Sequence, residues 1–520
     1  MVALCGQLVT VFLAVCGVLL APASCLPAAA QSAPSVEPSA GGVSPEPLKI
    51  NIIEAVLLSL ENNRALVVER LNPSIRQTVE DQELAVFDPS VDAELTAQRD
   101  KGERQARSGS ATEQFKADSV EGFISLAKYF PTGTTAALEA NTDMSDSSLY
   151  DDKFYETRLG MTATQSLLNG FGRDVNLASL RQARLDTKMS EYELRGFTES
   201  LVAEVERTFW DYALARRQIE IVEKSLTVAR QQLNETEALI DVGRLARSEL
   251  AAVQAEVASQ EQALIEARAG KDTIRLKLLR LLNPSGTDMW QREVNLVYQP
   301  TLPRIKLDDV GLHVAVSRRM SPILNEARLR VMRGDLELVK TRNGLLPVMD
   351  LFITFGKTGY SDSFGNSITN INEDAYDALA GVRFNYPFFN RDAKAIHRRA
   401  MLDREQAQNA LSNLTQLVEV DVRTAYIEVN RTKQQITATS VTRRFDEEKL
   451  RTETEKLRVG KSTSFLVAQA QRDLLVSRIA EVRALAGYLQ ALVDLYRQDG
   501  SLLERRGIAA PGQDPVKLAD

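Results

Sequence analysis

Two short stretches, "DVGRLARSEL" at residues 241–250 and "LRVGKSTSFL" at residues 457–466, decide how the chain folds. Each interrupts a long helical pattern with Val-Gly and a basic residue. Each continues through small polar residues into a new helical pattern. Because glycine has no Cβ, it can turn the chain where a helix ends. The two stretches therefore predict the turns of two helical hairpins.

The segments before these turns are helical over unusual lengths. From Asp174 to Val242 and from Asp392 to Val459 there is no proline and almost no glycine. Apolar residues recur every three or four positions, which indicates amphipathic helix. About sixty residues at 1.5 Å each reach roughly 90 Å. Return helices are predicted over 246–283 and 463–497. Apolar stripes of this length require neighbouring helices, as in a coiled coil.

The chain is internally duplicated. Pro89 matches Pro347 at an offset of 258 residues, and Val242 matches Val459 at an offset of 217. Copy one therefore holds about forty extra residues, and they lie between Pro89 and Arg173. The predicted divisions are a signal peptide (1–30), a flexible leader (31–47), copy one (48–300), copy two (301–503) and a C-terminal tail (504–520).

Each copy begins with a helix, predicted over about 50–85 and 308–344, followed by strands with period two. "AYDALAGVRFNY" at 375–386 places apolar side chains on one face and Asp377, Arg383 and Asn385 on the other. A sandwich strand has the same pattern, but these strands are few and joined by polar loops, which favours a membrane β-barrel wall. "EGFISLAKYFPTGTTAALEANTDM" at 121–144 predicts an additional hairpin, which either adds strands to that wall or folds beside it.

The N-terminus predicts export. An apolar run from Leu8 to Leu20 and the small residues before Gln31 are typical of a cleaved signal peptide. All three cysteines lie in the first 25 residues. Cys25 is either removed with the signal or kept as a lipidated N-terminal cysteine. After residue 31 no apolar run approaches the roughly 20 residues of a transmembrane helix.

Composition and motifs argue against an enzyme and against a nucleic-acid binder. The 520 residues carry a net charge of -7, so no basic face dominates. His313 and His397 are far apart in helical segments and are interpreted as surface or junction residues. No phosphate-binding loop and no nucleophile motif occur. We therefore predict no catalytic residue, no metal, no cofactor and no energy source of its own.

The order helix, strands, long helical hairpin, repeated behind a signal peptide, resembles the TolC-like outer-membrane efflux proteins over about 48–500. The motifs that carry the resemblance are "NNRAL" (62–66), "TQSLLNGFGRDVNLASLRQA" (164–183), "VERTFWDYALAR" (205–216) and the two Val-Gly turns. The resemblance implies a mainly α fold with a β-barrel part. In it, three chains share one transmembrane β-barrel that continues as an α-helical tunnel through the periplasm.

The resemblance also implies partners and site residues. The expected partners are two further copies of the chain, outer-membrane lipid, a periplasmic adaptor protein and an inner-membrane pump of RND, ABC or MFS type. The turns would form the tunnel's periplasmic tips and contact the adaptor. The residues concerned are Val242, Gly243, Arg244, Leu245, Ala246, Val459, Gly460, Lys461, Ser462 and Thr463.

The family's entrance is often narrowed by acidic residues just after the tip. Glu249 occupies such a position and is the candidate gate residue, paired with Lys461 of the same or a neighbouring chain. An exposed helical position is the other interpretation of Glu249. Copy two departs from the pattern, because Leu466 and Gln469 stand where some members carry aspartate.

The sequence thus predicts a passive export channel of a tripartite efflux or type I secretion system. A coiled-coil scaffold or adaptor without a pore is the principal alternative. A scaffold accounts for the helices but not for the amphipathic strands. A surface adhesin with helical stalks does not predict the duplication.

Overall fold

The computed structural model describes residues 47–105, 109, 112–148, 152–285, 289–297 and 307–517. The predicted signal peptide, the leader up to residue 46, Cys25 and the boundary between the two copies lie outside the described residues. Residues from Pro47 onward form one compact unit. None of the helices in the described part is long and apolar enough to cross a membrane.

Helices make up most of the described chain, and strands form one large and one small sheet. The helices are α1 (Ile52–Asn62), α2 (Arg64–Glu69), α3 (Asn72–Ala85), α4 (Arg173–Asn176), α5 (Ala178–Asp241), α6 (Glu249–Leu282), α7 (Val310–Met320), α8 (Pro322–Asn343), α9 (Phe364–Thr369), α10 (Arg391–Arg458), α11 (Ser464–Gln498) and α12 (Leu502–Arg505). The strands are β1 (Leu48–Ile50), β2 (Ser90–Gln105), β3 (Thr112–Phe130), β4 (Thr134–Ser147), β5 (Phe154–Ser166), β6 (Val294–Leu296), β7 (Val348–Ser361) and β8 (Tyr376–Asn385).

The long helices confirm the hairpin prediction. The helix α5 has 64 residues and α10 has 68, so they extend about 96 and about 102 Å. Each packs against its return helix, α6 or α11. The helix α5 also contacts α3, α8 and α11, which places it at the centre of the bundle.

The first helix of each copy is interrupted, which the periodicity did not reveal. Copy one has two interruptions, at Asn63 and at 70–71. The side-chain oxygen of Asn63 accepts hydrogen bonds from the backbone N–H of Ala65 and Leu66 and so starts α2. The Asn63 amide also donates to the carbonyl of Leu281 at 2.9 Å, at the end of α6. In copy two a proline, Pro322, begins α8. The "NNRAL" motif therefore caps one helix and holds the end of another.

The large sheet is antiparallel, with the order β2-β3-β4-β5-β7-β8. Strands β5 and β7 join copy one to copy two in register. The hairpin predicted at 121–144 is present as β3 and β4, and it adds two strands to the sheet instead of folding beside it. The small sheet pairs β1 with β6 in parallel, which the sequence did not predict.

The hydrophobic core lies where the helices of both copies meet. Phe209 and Tyr212 of α5 are almost fully buried, in one cluster with Leu278 of α6, Leu324 of α8 and Leu495 of α11. The Tyr212 hydroxyl donates to the carbonyl of Val294 at 2.9 Å. This arrangement explains the aromatic residues of "VERTFWDYALAR" as core.

Candidate channel wall and docking tips

Both helical hairpins turn through the same backbone structure. Gly243 and Gly460 have left-handed φ angles of 72° and 74°. In copy one the N–H of Gly243 donates to Ile240, and the N–H of Arg244 donates to the carbonyl of Leu239 at 2.8 Å. The equivalent bonds from Gly460 and from Lys461 are formed in copy two. This is the Schellman ending of a helix, which requires a residue without a Cβ penalty at the left-handed position.

The tips present apolar and basic groups to the outside. Val242 and Val459 are 67% and 68% exposed, and Arg244, Ala246 and Lys461 are also exposed. Leu245 is half-buried. The Ser462 hydroxyl donates to Glu453 at 2.7 Å, and Thr463 caps α11 through its side chain. The ten residues predicted to form the tips lie at the two turns, and their contact with an adaptor stays a prediction.

Glu249 has a partner that the sequence did not predict. Its Oε2 accepts a hydrogen bond from the backbone N–H of Ser464, the first residue of α11, at 2.9 Å. A carboxylate at a helix N-terminus is favoured by the unpaired N–H groups and by the helix dipole. Among the described residues, Glu249 forms no ion pair with Lys461 of its own chain. Pairing with Lys461 of another chain stays a prediction.

Residues that pair across antiparallel strands point to the same side of a sheet, so the strand pairing assigns each side chain to a face. By this assignment the large sheet has one apolar and one polar face. The apolar face carries large side chains that are roughly half exposed. They are Val91, Leu95, Leu126, Leu138, Leu159, Met161, Ile353, Phe355, Val382 and Phe384. The short helix α9 packs over this face beside Thr157 and Gly359, and the described residues leave the large apolar side chains about half exposed.

The polar face is predominantly acidic. Its charged residues with described side chains, assigned from the strand pairing, are Asp92, Glu94, Asp100, Glu121, Glu139, Asp143, Glu156, Arg158, Asp350, Asp377 and Arg383. Glu121 pairs with Asp143, and Asp143 pairs with Glu156, so three carboxylates stand side by side. Arg158 forms two hydrogen bonds with Asp377. Carboxylates on adjacent strands repel each other and favour a solvated face.

The motif between β5 and α5 anchors the base of the sheet. The Asn176 amide donates to the carbonyls of Pro131 and Gly170 at 3.1 and 2.8 Å, and its oxygen accepts from the Tyr129 hydroxyl. Asn343 of copy two accepts from the N–H of Gly170. The "NGFGRDVN" segment therefore connects the β3–β4 turn, the long helix and copy two.

A group of buried charges lies where the C-terminal residues pack against α5 and α7, and the sequence did not reveal it. Arg195 is fully buried, 3.2 Å from Glu199, and it also contacts Glu504. Burial raises the pKa of Glu199 to about 8. His313 is 3% exposed, with Nδ1 2.7 Å from the buried carboxylate of Asp499. The surface interpretation of His313 is therefore wrong, whereas the junction interpretation holds.

Glu206, also fully buried, receives two hydrogen bonds from Arg506 at 2.5 and 2.6 Å. Val516 of the tail donates its N–H to Asn325. The C-terminal residues thus close over α5 and α8. Only the long separation of these charges along the chain hid them, since the sequence places Glu206 and Arg506 300 residues apart.

Comparison with known proteins identifies the family. The model of the outer membrane efflux protein family matches residues 124–284 and 316–501, which is more than half of the chain. The chain therefore belongs to the outer membrane efflux protein family. The two matched segments agree with the internal duplication. Among curated proteins none matches the chain by sequence.

Solved structures share the fold at low sequence identity. The CmeC outer membrane channel of Campylobacter jejuni is 15% identical, with 89% of this chain and 87% of that chain covered and a TM-score of 0.65. VceC of Vibrio cholerae is 15% identical, with coverages of 86% and 96% and a TM-score of 0.63. The open state of MtrE from Neisseria gonorrhoeae is 17% identical, with coverages of 87% and 89% and a TM-score of 0.60.

Family membership determines the class and the location of the protein. The chain is an outer-membrane efflux channel protein and not an enzyme. The described residues hold no group of three His, Cys, Asp or Glu side chains that could bind a metal ion.

Proposed function

We propose that three copies of this chain form the outer-membrane duct of a tripartite efflux or type I secretion system. Small molecules or polypeptides would pass through it without energy from the duct itself. An inner-membrane pump of RND, ABC or MFS type would drive export, and a periplasmic adaptor would connect pump and duct.

The observation that carries the proposal is the two-faced sheet. Apart from the part beneath α9, its apolar face is exposed and suits contact with the hydrocarbon of outer-membrane lipid. Its polar face carries many carboxylates, which require water or counter-ions. A sheet with these properties suits the wall of a water-filled passage in a membrane, with the polar face inside.

The helices support assembly from several copies. Of its 68 residues, α10 buries only Ala400, Val418, Val422, Val429, Thr432 and Leu457. Leu417, Val420, Ile427 and Phe445 of the same helix are each more than half exposed. Exposed apolar residues at helical spacing are typical of a surface that packs against another helix. We infer that α10 contacts a neighbouring copy, so that three pairs of hairpins enclose the periplasmic tunnel.

The tips are the proposed contact with the adaptor. Val242 and Val459 expose apolar surface next to Arg244 and Lys461. Apolar anchors beside basic groups suit a partner whose contacting surface combines apolar and acidic side chains. Glu249 would hold the two tips of one chain together while the entrance is closed.

Site-specific cross-linking tests this assignment, because the sequence after residue 25 has no cysteine. Lys461→Cys at the tip is expected to form an adaptor cross-link in cells. Lys433→Cys is the matched control, since it is exposed on α10 about 42 Å from the tip. Cross-links between copies of the chain are expected to give products of up to three chains and none larger. Recovery as a monomer outside the membrane fraction would instead indicate a scaffold.

A further inference from the structure

We propose that the β3–β4 hairpin widens the outer-membrane passage: each chain contributes six strands, and three chains close a wall of eighteen strands whose bore sets the size of what can pass. This inference rests on the proposed trimeric channel. It concerns only the additional hairpin of copy one, for which copy two has no equivalent.

The hairpin lies inside the sheet and not on its surface. The strand β3 pairs with β2 from Ser90 to Gln105, which is the whole of β2. The strand β4 pairs with β5 from Thr134 to Ser145. If β3 and β4 were absent, β2 and β5 would be the neighbouring strands of copy one, as β7 and β8 are in copy two. The wall of each chain would then have four strands.

Over the stretch of β2 from Val91 to Ala97, both faces continue through the hairpin without a break, and beyond it the apolar side carries the Arg99–Asp118 ion pair. On the apolar face, Ala93, Ile124, Ala140 and Leu159 follow one another across β2, β3, β4 and β5. On the polar face, Thr96, Glu121, Asp143 and Glu156 do the same. A register slip of one residue would reverse both faces of a strand. The inserted strands therefore have the pattern of wall strands and not of a loop lying over the wall.

The hairpin is also fixed at its base. Gly133 has a left-handed φ of 87°, and a Cβ there would lie 2.3 Å from the carbonyl oxygen of Gly170. The N–H of Gly172 and the Gln165 amide both donate to the carbonyl of Thr132. The Tyr129 ring stacks on Phe87 at 5.9 Å. The turn is thus built into the junction between sheet and helix.

Six strands cannot close on themselves around this polar face. A closed sheet of about eight strands leaves an interior that its own side chains fill. A smaller one has no room for the solvated carboxylates of the polar face. In the described part of the chain, β2 and β8 pair on one side only. They run in opposite directions, so β2 of one copy can continue the antiparallel order beside β8 of the next.

Closure through three copies gives the expected bore. Since the diameter of a closed sheet grows roughly linearly with strand number, eighteen strands give about 1.5 times the diameter of twelve. The cross-section is then about 2.25 times larger. Walls of 16–18 strands leave an aqueous channel, which suits the charged lining.

The test compares polymer entry into the wild type and into a variant without residues 112–147. That deletion connects β2 directly to β5. The C-terminal end of β2 and the N-terminal end of β5 lie at the same edge of the sheet, so a short connection can join them. Poly(ethylene glycol) of graded size is added on the sheet side in planar bilayers, and the largest polymer that lowers conductance is recorded. The wild type should admit polymers about 1.5 times wider than the deletion variant. A Glu121→Gln, Asp143→Asn variant changes charge without changing strand number, and its limit should equal that of the wild type.

If the deletion variant does not fold, the inference is tested instead by counting the wall strands of the wild-type assembly by electron cryomicroscopy. Eighteen strands in one wall would support the inference. Twelve wall strands, with β3 and β4 outside the wall, would overturn it. Equal polymer limits in conducting wild-type and deletion channels would also overturn it, while leaving the channel function intact. A folded wild type without any conductance would instead contradict the proposed function.

Discussion

The buried carboxyl of Glu199 should make the folded protein lose stability as the pH rises toward 8. The side chain lies on α5 beside Arg195 and is almost inaccessible. Burial raises its pKa from 4.5 to about 8, and the carboxylates Glu504 and Asp499 contribute in the same direction. Arg195 opposes this shift, but it also contacts Glu504. We therefore expect Glu199 to hold its proton in the folded protein at neutral pH.

The sign and size of the effect follow from proton linkage. Between about pH 4.5 and 8 the folded protein holds a proton that the unfolded chain has released. The stabilisation is complete below the unfolded pKa and is lost as the pH rises through the folded pKa. At 1.36 kcal/mol per pH unit, the span from 4.5 to about 8 sets an upper limit of about 5 kcal/mol.

Denaturant titration of the wild type and of Glu199→Gln from about pH 5 to about pH 8.5 measures this effect. Glutamine keeps the shape of the protonated acid and does not titrate. The free energy of unfolding of the wild type should fall with pH more steeply than that of the variant. Every other side chain is shared by the two proteins, so the difference between their pH slopes isolates Glu199. Identical pH slopes would refute the protonated state of Glu199.

Two further substitutions test the buried and the exposed charges. Arg506→Ala leaves Glu206 buried without its partner, so the free energy of unfolding should fall by about 3–5 kcal/mol in denaturant titrations. Adding Glu206→Gln to that variant should recover part of the loss. No recovery would contradict the pairing. Asp143→Asn removes the central charge between Glu121 and Glu156, so stability should rise by about 0.2–1 kcal/mol. In bilayers its preference for cations should decrease, and an unchanged reversal potential would place these residues outside the conducting path.

Periodicity predicted the elements whose pattern is local. The long helices and the Val-Gly turns were found because a heptad-like stripe and a glycine stop are visible within one stretch. The additional hairpin was visible for the same reason, since Pro131 and Gly133 separate two alternating runs. Whether it joined the wall was not visible, because strand pairing depends on contacts between distant segments.

Long-range partners account for what the sequence did not show. The pairing of β1 with β6 joins three-residue strands, too short for any periodicity. The charge of Glu249 predicts pairing with a cation, but its partner is a backbone N–H, which no residue type reveals. The break at Asn63 was hidden because the apolar pattern continues across it. Buried charges such as Arg195 look like solvated helix positions until the tail is placed over them.

Planar-bilayer conductance of the purified protein tests the central claim most directly, namely that the assembled chains form a passage closed at the helical tips. Wild type is compared with Glu249→Ala and with a Glu249→Ala, Lys461→Ala double variant. The first change removes the bond between Glu249 and Ser464 that holds α6 to α11. We expect small, steady openings from the wild type and larger ones from both variants. A well-folded trimer that conducts in none of the three forms would contradict the account.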